Sequence, residues 1–280
     1  MTIAVIWQED GVLWCAADTR LVVGKNDQTT SEKTAKIYSI PLSVCALNPV
    51  ADLTNTAFGL RQPHYWTQYG FAYAGAALPA TQTAVTATTL LQNLARPGDR
   101  TDPPAFEEIA ELMCRLARRF MDDKRRFGAD GKFQAAFFGW CAYTTRFKVA
   151  HIHGRDDLGA FRVELSYPKA PDTEGDPWLI LGSGAATFES TLTDYRRNEQ
   201  HIKKRIPRRV IDQMVAEDRD PSVGGATSIG AANKHGFDLF YAVEPIVRGQ
   251  PAARRIFNGL DLDTEVGPIG QYIVAAIGVA

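Results

Sequence analysis

Within the first twenty residues, two apolar runs rich in β-branched side chains flank Asp10-Gly11. An Asp-Gly step between such runs predicts a β-hairpin. Antiparallel pairing then sets residues whose numbers sum to about 20 opposite one another, and Thr2 faces the Asp18 end. Residues 21–24 are apolar, 25–34 polar, and 35–40 alternate as a short strand. Residues 41–70 contain Pro41, Pro49 and Pro63 with no sustained period and read as a long loop. A buried strand over 70–77 delivers Gly75 to a helix that opens at Pro79 and runs through Leu90, Leu91 and Leu94. Residues 96–104 break that helix, and Ile109, Leu112, Met113, Leu116 and Phe120 then recur at helical spacing.

The pattern returns to strands over 134–144, 147–153 and 160–167, followed by a turn-rich loop over 168–177. A buried strand over 178–181 ends at Gly182-Ser183-Gly184-Ala185. Helices over 186–203 and 208–217, strands over 226–230 and 237–247, an Asn258-Gly259 turn and an apolar run over 272–279 complete the chain. The order is strands, two helices, strands, two helices, strands. Such segregated blocks predict an α+β fold, two sheets face to face with helices outside, rather than a doubly wound parallel sheet.

Composition narrows the chemistry. The chain has 280 residues, 45% hydrophobic and 22% charged, with a formal net charge of -1, and offers no electrostatic reason to expect nucleic acid or an anionic membrane as partner. There is no signal-peptide pattern and no apolar stretch long enough for a transmembrane helix, so a cytoplasmic protein is expected. Cys15, Cys45, Cys114 and Cys141 are widely spaced without a C-x-x-C pair and read as free thiols. His151 and His153 share one face of a strand, half of a metal site, but no third ligand is suggested nearby, and no metal or other cofactor is expected. Gly182-Ser183-Gly184 precedes a helix without the Walker lysine or a full dinucleotide fingerprint. The basic residues of the second helix share it with acidic ones, as on a solvated face.

The hairpin carries the distinctive chemistry. It places a hydroxyl near the N-terminus beside a carboxylate, and Thr is small enough for the preceding Met1 to be removed. An N-terminal Thr carries its own base: the α-amine, which ordinarily titrates at about pH 8, accepts the proton of its own Oγ directly or through water.

Taken together, Thr2, the Ala16-Ala17-Asp18-Thr19-Arg20 run with Gly24, Lys36-Ile37 opening a strand, Ala74-Gly75 before the first helix, Gly182-Ser183-Gly184 before the third, and Asp220 ahead of Gly224-Gly225 occur in the order seen in proteasome β-subunits. The chain resembles that family from residue 2 to about 247, including the heat-shock-locus bacterial peptidase and the Anbu-type bacterial homologues. The resemblance implies a four-layer αββα sandwich of the N-terminal nucleophile hydrolase type, and a threonine endopeptidase working inside a homo-oligomeric ring or stacked rings. One domain would span 1–280, with insertions near 41–70 and 145–178 and a C-terminal extension from about 248. These added stretches would lie at ring interfaces or the chamber rim. It also implies roles: Thr2 as nucleophile, Lys36 beside it as an ammonium, Asp18 holding Lys36, Gly75 N–H donating to the oxyanion, Ser183 and Asp220 orienting the amine. Tyr73, with Leu21 and Ala77, would form the substrate pocket, and a bulky Tyr73 would favour small residues before the cut. Peptide or unfolded protein would be the substrate, and an ATPase unfoldase a partner.

The chain departs from the family pattern in two places. The segment from Asp18 to Lys36 is two residues longer than usual, which makes Lys33 a rival to Lys36. Val223 stands where many β-subunits have Ser before Gly-Gly, with Ser222 one position earlier, and Asp218 competes with Asp220. Two other readings stay open: a small-molecule amidohydrolase of the same fold, or a catalytically silent scaffold subunit.

Overall fold

The computed structural model describes residues 2–23, 28–47, 63–97, 102–128, 130–157, 160–198, 204–244, 253–275 and 277–279. The first hairpin is β1 (Ala4–Glu9) and β2 (Val12–Asp18), with Ala4 opposite Ala17 and Glu9 opposite Val12. Asp10 and Gly11 both have positive φ, 51° and 70°. That is the primed turn whose twist matches the strands, and it explains the Asp-Gly choice.

The remaining strands are β3 (Leu21–Val23), β4 (Gln28–Ser31), β5 (Ile37–Leu47), β6 (Tyr65–Gly75), β7 (Leu94–Pro97), β8 (Phe133–Cys141), β9 (Arg146–Asp157), β10 (Ala160–Ser166), β11 (Pro177–Leu181), β12 (Thr227–Asn233), β13 (Gly236–Glu244), β14 (Arg254–Phe257), β15 (Leu260–Asp261) and β16 (Gly278–Val279). The α-helices are α1 (Ala77–Leu91), α2 (Phe106–Arg126), α3 (Ala185–Asn198) and α4 (Ile206–Ala216), and a π-helical turn spans Leu262–Val266. One sheet has the order β11-β1-β2-β12-β13-β14-β15 with β16 on β13, and a second has the order β10-β9-β8-β6-β5-β7. Strands β3 and β4 pair separately.

Three apolar clusters hold these elements. Phe71, Tyr69, Phe106, Met113 and Phe137 pack where α1 and α2 cover the second sheet. Ile6, Leu13, Ile37, Ala72, Phe138, Leu181 and Phe237 come from both sheets and meet between them. Val5, Trp7, Phe188, Val210 and Met214 pack where α3 and α4 cover the other face of the first sheet. Burying one such Phe contributes about 2–3 kcal/mol. The fold is α+β and rich in sheet, as the order of apolar patterns predicts.

The structure corrects several boundaries. Residues 41–47 and 65–70, read as parts of a long loop, extend β5 and β6; residues 48–62 lie outside the described residues. Pro41 is tolerated inside β5 because β7 pairs β5 only from Val44 onward, which leaves one side of the strand unpaired at Pro41 among the described residues. Leu94 belongs to β7, since α1 ends at Leu91. The polar connection after residue 24 contains β4. The third helix is described as far as Asn198, and both 199–203 and 245–247 fall outside the described residues. In the tail, Tyr272 and Ile273 are exposed rather than packed. Among the described residues no helix is long and apolar enough to cross a membrane.

Candidate functional site

Strand β1 begins two residues after Thr2, and β2 ends at Asp18, so the hairpin brings the two side chains together at its open end. The Thr2 hydroxyl donates to Asp18 Oδ1. Lys36, the residue before β5, reaches both: its Nζ donates to Thr2 Oγ1 and, at 2.8 Å, to Asp18 Oδ1, and also to the Arg20 carbonyl. Thr2, Asp18 and Lys36 are 2%, 0% and 1% exposed.

A buried carboxylate is tolerable only when its lone pairs are filled. Asp18 Oδ1 also accepts from Ile3 N at 2.9 Å, and Oδ2 accepts from Gly224 N at 3.1 Å and Arg20 N at 3.2 Å. With Thr2 and Lys36, that makes five donors. Burial pushes the Lys36 ammonium below the ordinary lysine value, against the opposing pull of Asp18.

Thr2 opens on a cleft of about 220 Å³ lined by Gly75, Phe133, Gln134, Gly182 and Ser183 among others. Gly75 ends β6 with φ +112°, and a Cβ there would lie 2.8 Å from the Lys132 carbonyl. Gly182 follows β11 with φ +99°, and a Cβ there would lie 1.9 Å from the Thr2 carbonyl oxygen. Only glycine fits against the Thr2 backbone at that point. Ser183 Oγ is 3.3 Å from Ser222 Oγ. Ser222 in turn donates through its hydroxyl (2.5 Å) and its N–H (2.9 Å) to Asp220 Oδ1. A polar chain therefore runs from Asp220 through Ser222 to Ser183 at the cleft.

The rivals lie elsewhere. Lys33 Nζ is bonded to Glu265 at 2.6 Å, and Asp218 to the Arg20 guanidinium at 2.9 Å. Tyr73 is 1% exposed, stacks on Tyr38 with ring centroids 6.3 Å apart, and donates to the Ala35 carbonyl at 3.3 Å. Leu21 and Ala77 are half-buried and do not line the cleft. Met1 lies outside the described residues. Sequence reasoning attached no role to Gly182 beyond its motif, nor to Arg20 or Ser222. The signal for Gly182 was the Gly-Ser-Gly turn directly after a buried strand. His151 and His153 stack with ring centroids 4.6 Å apart, and His153 Nε2 is 3.3 Å from Glu164. Among the described residues no group of three or more His, Cys, Asp or Glu is placed to hold a metal ion.

No protein-family model matches the chain, and no curated protein matches it. Solved structures do. Anbu (ancestral β-subunit) from Yersinia bercovieri aligns with a TM-score of 0.50 and 14% identity, over 82% of this chain and 80% of that one. An Anbu (Gly-1) mutant from Hyphomicrobium sp. strain MC1 aligns with a TM-score of 0.46 and 14% identity, over 95% and 90%. In fold, this chain is therefore similar to Anbu (ancestral β-subunit).

Proposed function

We propose that the chain is a threonine-type peptidase of the N-terminal nucleophile class, active once Met1 has been removed. The observation that carries this reading is the Thr2 hydroxyl bonded to a buried Asp18–Lys36 pair at the mouth of a cleft that Gly75 also lines. The α1–α2 helices, the two sheets and the α3–α4 helices are taken as the layers of an αββα sandwich, built as one domain with a C-terminal extension.

In this mechanism the freed Thr2 amine takes the Oγ proton, and Oγ attacks the scissile carbonyl. The Lys36 ammonium lowers the cost of the alkoxide. The Gly75 N–H donates to the tetrahedral oxyanion. The amine then protonates the leaving nitrogen, leaving an ester on Thr2 that water hydrolyses. Ser183, Ser222 and Asp220 orient the amine. Tyr73, two residues before Gly75 on β6, is assigned to the substrate pocket and would shorten it, so that small residues are preferred before the cut; cleavage profiling that showed best turnover after Trp or Phe would contradict this. A homo-oligomeric ring, peptide or unfolded protein as substrate, an ATPase unfoldase as partner and a cytoplasmic setting complete the proposal.

An amidohydrolase acting on small charged molecules would want charged anchors. Lys132 is the one charged side chain among the described residues lining the cleft, and it is bonded to Asp156. The test is an epoxyketone, which needs both hydroxyl and free amine, applied to Met-free protein and read by mass spectrometry. A single adduct on Thr2, absent in Thr2→Ala, is expected. No adduct in Met-free, assembled protein would overturn the peptidase reading and favour a silent scaffold.

A further inference from the structure

The space between the sheets has a second opening. Gln8 at the far end of β1, Trp140 near the end of β8, Phe147 near the start of β9 and Trp178 near the start of β11 surround a cavity of about 650 Å³. Each of these strands has its other end at the Thr2 cleft, where Phe133, Gly154 and Gly182 lie. Six steps of extended chain separate Thr2 from Gln8, about 20 Å at 3.3 Å per residue.

The lining has a definite chemistry. Trp140 and Phe147 meet edge to face with ring centroids 5.1 Å apart. The Trp178 indole is fixed by donating to the Pro168 carbonyl at 2.9 Å, and Tyr167 stands at the rim, 46% exposed. Phe147 and Trp178 flank the apolar cluster between the sheets, so the cavity exposes one end of that core. Of its three charged side chains, Lys148 is paired with Glu107, and Arg146 acts on the same carboxylate at longer range without an ion pair among the described residues. The wall is aromatic with one cationic charge in excess. Its volume lies in the range of small-molecule sites, where apolar walls supply area and a few polar groups fix orientation.

We propose that this cavity is a binding site for a small aromatic carboxylate, its ring against Trp140, Phe147 and Trp178 and its carboxylate on Arg146. An aromatic face suits the ring through offset or edge contact, and the guanidinium suits the carboxylate through a bidentate pair. The site is separate from the Thr2 cleft and does not depend on the peptidase reading.

The test is a titration of the full chain with 2-naphthoate, followed by isothermal calorimetry and by quenching of tryptophan emission. One saturable site per chain is expected. Binding should be at least tenfold weaker in Arg146→Glu and for the neutral 2-naphthylmethanol, and unchanged in Thr2→Ala and in epoxyketone-treated protein. Circular dichroism establishes that the Arg146→Glu protein is folded; Arg146 is exposed, so its substitution leaves the core intact. Absence of saturable binding, equal binding by Arg146→Glu, or loss of binding on blocking Thr2 would each overturn the proposal.

Discussion

At one end of the space between the sheets, Thr2, Asp18 and Lys36 are almost wholly buried and both Asp18 oxygens are bonded; at the other, Trp140, Phe147 and Trp178 stand half-buried around an open cavity. The difference follows from what each end is made of. A charge withdrawn from water needs every partner in place, so the Thr2 end is over-determined by bonds from residues 3, 20, 36 and 224. Aromatic rings need no such set and tolerate an open side at the cost of some apolar exposure. One end is built to hold atoms still, the other to accommodate something.

Breaking the polar end gives the largest effect. Asp18→Ala leaves Lys36 buried without its counter-charge, with an expected loss of about 3–5 kcal/mol in denaturant unfolding and no epoxyketone adduct. An equally stable Asp18→Ala protein would show that the pair is not what holds this end together. Gly182→Ala comes next: a methyl group cannot occupy the space against the Thr2 carbonyl, and at φ +99° the backbone strain alone is about 1–3 kcal/mol. Adduct formation should be abolished or slowed at least a hundredfold.

A smaller effect depends on pH. Burial, with His153 as a lesser cause, brings His151 from its ordinary value to about 4. The unfolded chain then binds a proton below pH 6.5 that the folded chain refuses, so stability rises with pH across that window and falls as pH drops from 6.5 toward 4. The ring is partly solvated, which keeps the loss near about 1 kcal/mol rather than the roughly 3 kcal/mol of the full shift. Thermal melts at pH 7 and pH 4.5 measure it, and His151→Asn should flatten the difference. The smallest change is Lys33→Ala, which removes only an exposed pair with Glu265. It should move stability by less than about 0.5 kcal/mol and leave labelling intact. A lost adduct would return Lys33 to contention.

Much of this contrast was legible in the chain. Asp10-Gly11 between apolar runs fixed the hairpin, and with it the meeting of Thr2 and Asp18, because the turn residues match the twist of the strands. Lys33 and Lys36 could not be separated by spacing alone. The structure distinguishes them through Glu265, a partner 232 residues away that no local pattern announces. Pro41 hid the length of β5, since whether a proline fits a strand depends on which neighbour is missing. In β6, residues 69, 71 and 73 face the helices while 72 and 74 face the other sheet. Burial on both faces erases the alternation that would have marked the strand's start and told which side Tyr73 takes.

The donors that fill the Asp18 carboxylate also set a timetable. Gly224 is 206 residues from Asp18, and Gly182, against the Thr2 carbonyl, is 180 residues from Thr2. During synthesis Thr2, Asp18 and Lys36 appear well before Gly182 and Gly224. The hairpin can form early, but the arrangement around Thr2 is complete only after Gly224 has been made and the chain has folded back on the hairpin. A truncated or half-folded chain therefore exposes a threonine with only part of its framing, and any hydrolytic capacity waits for Gly182 and Gly224 to be in place.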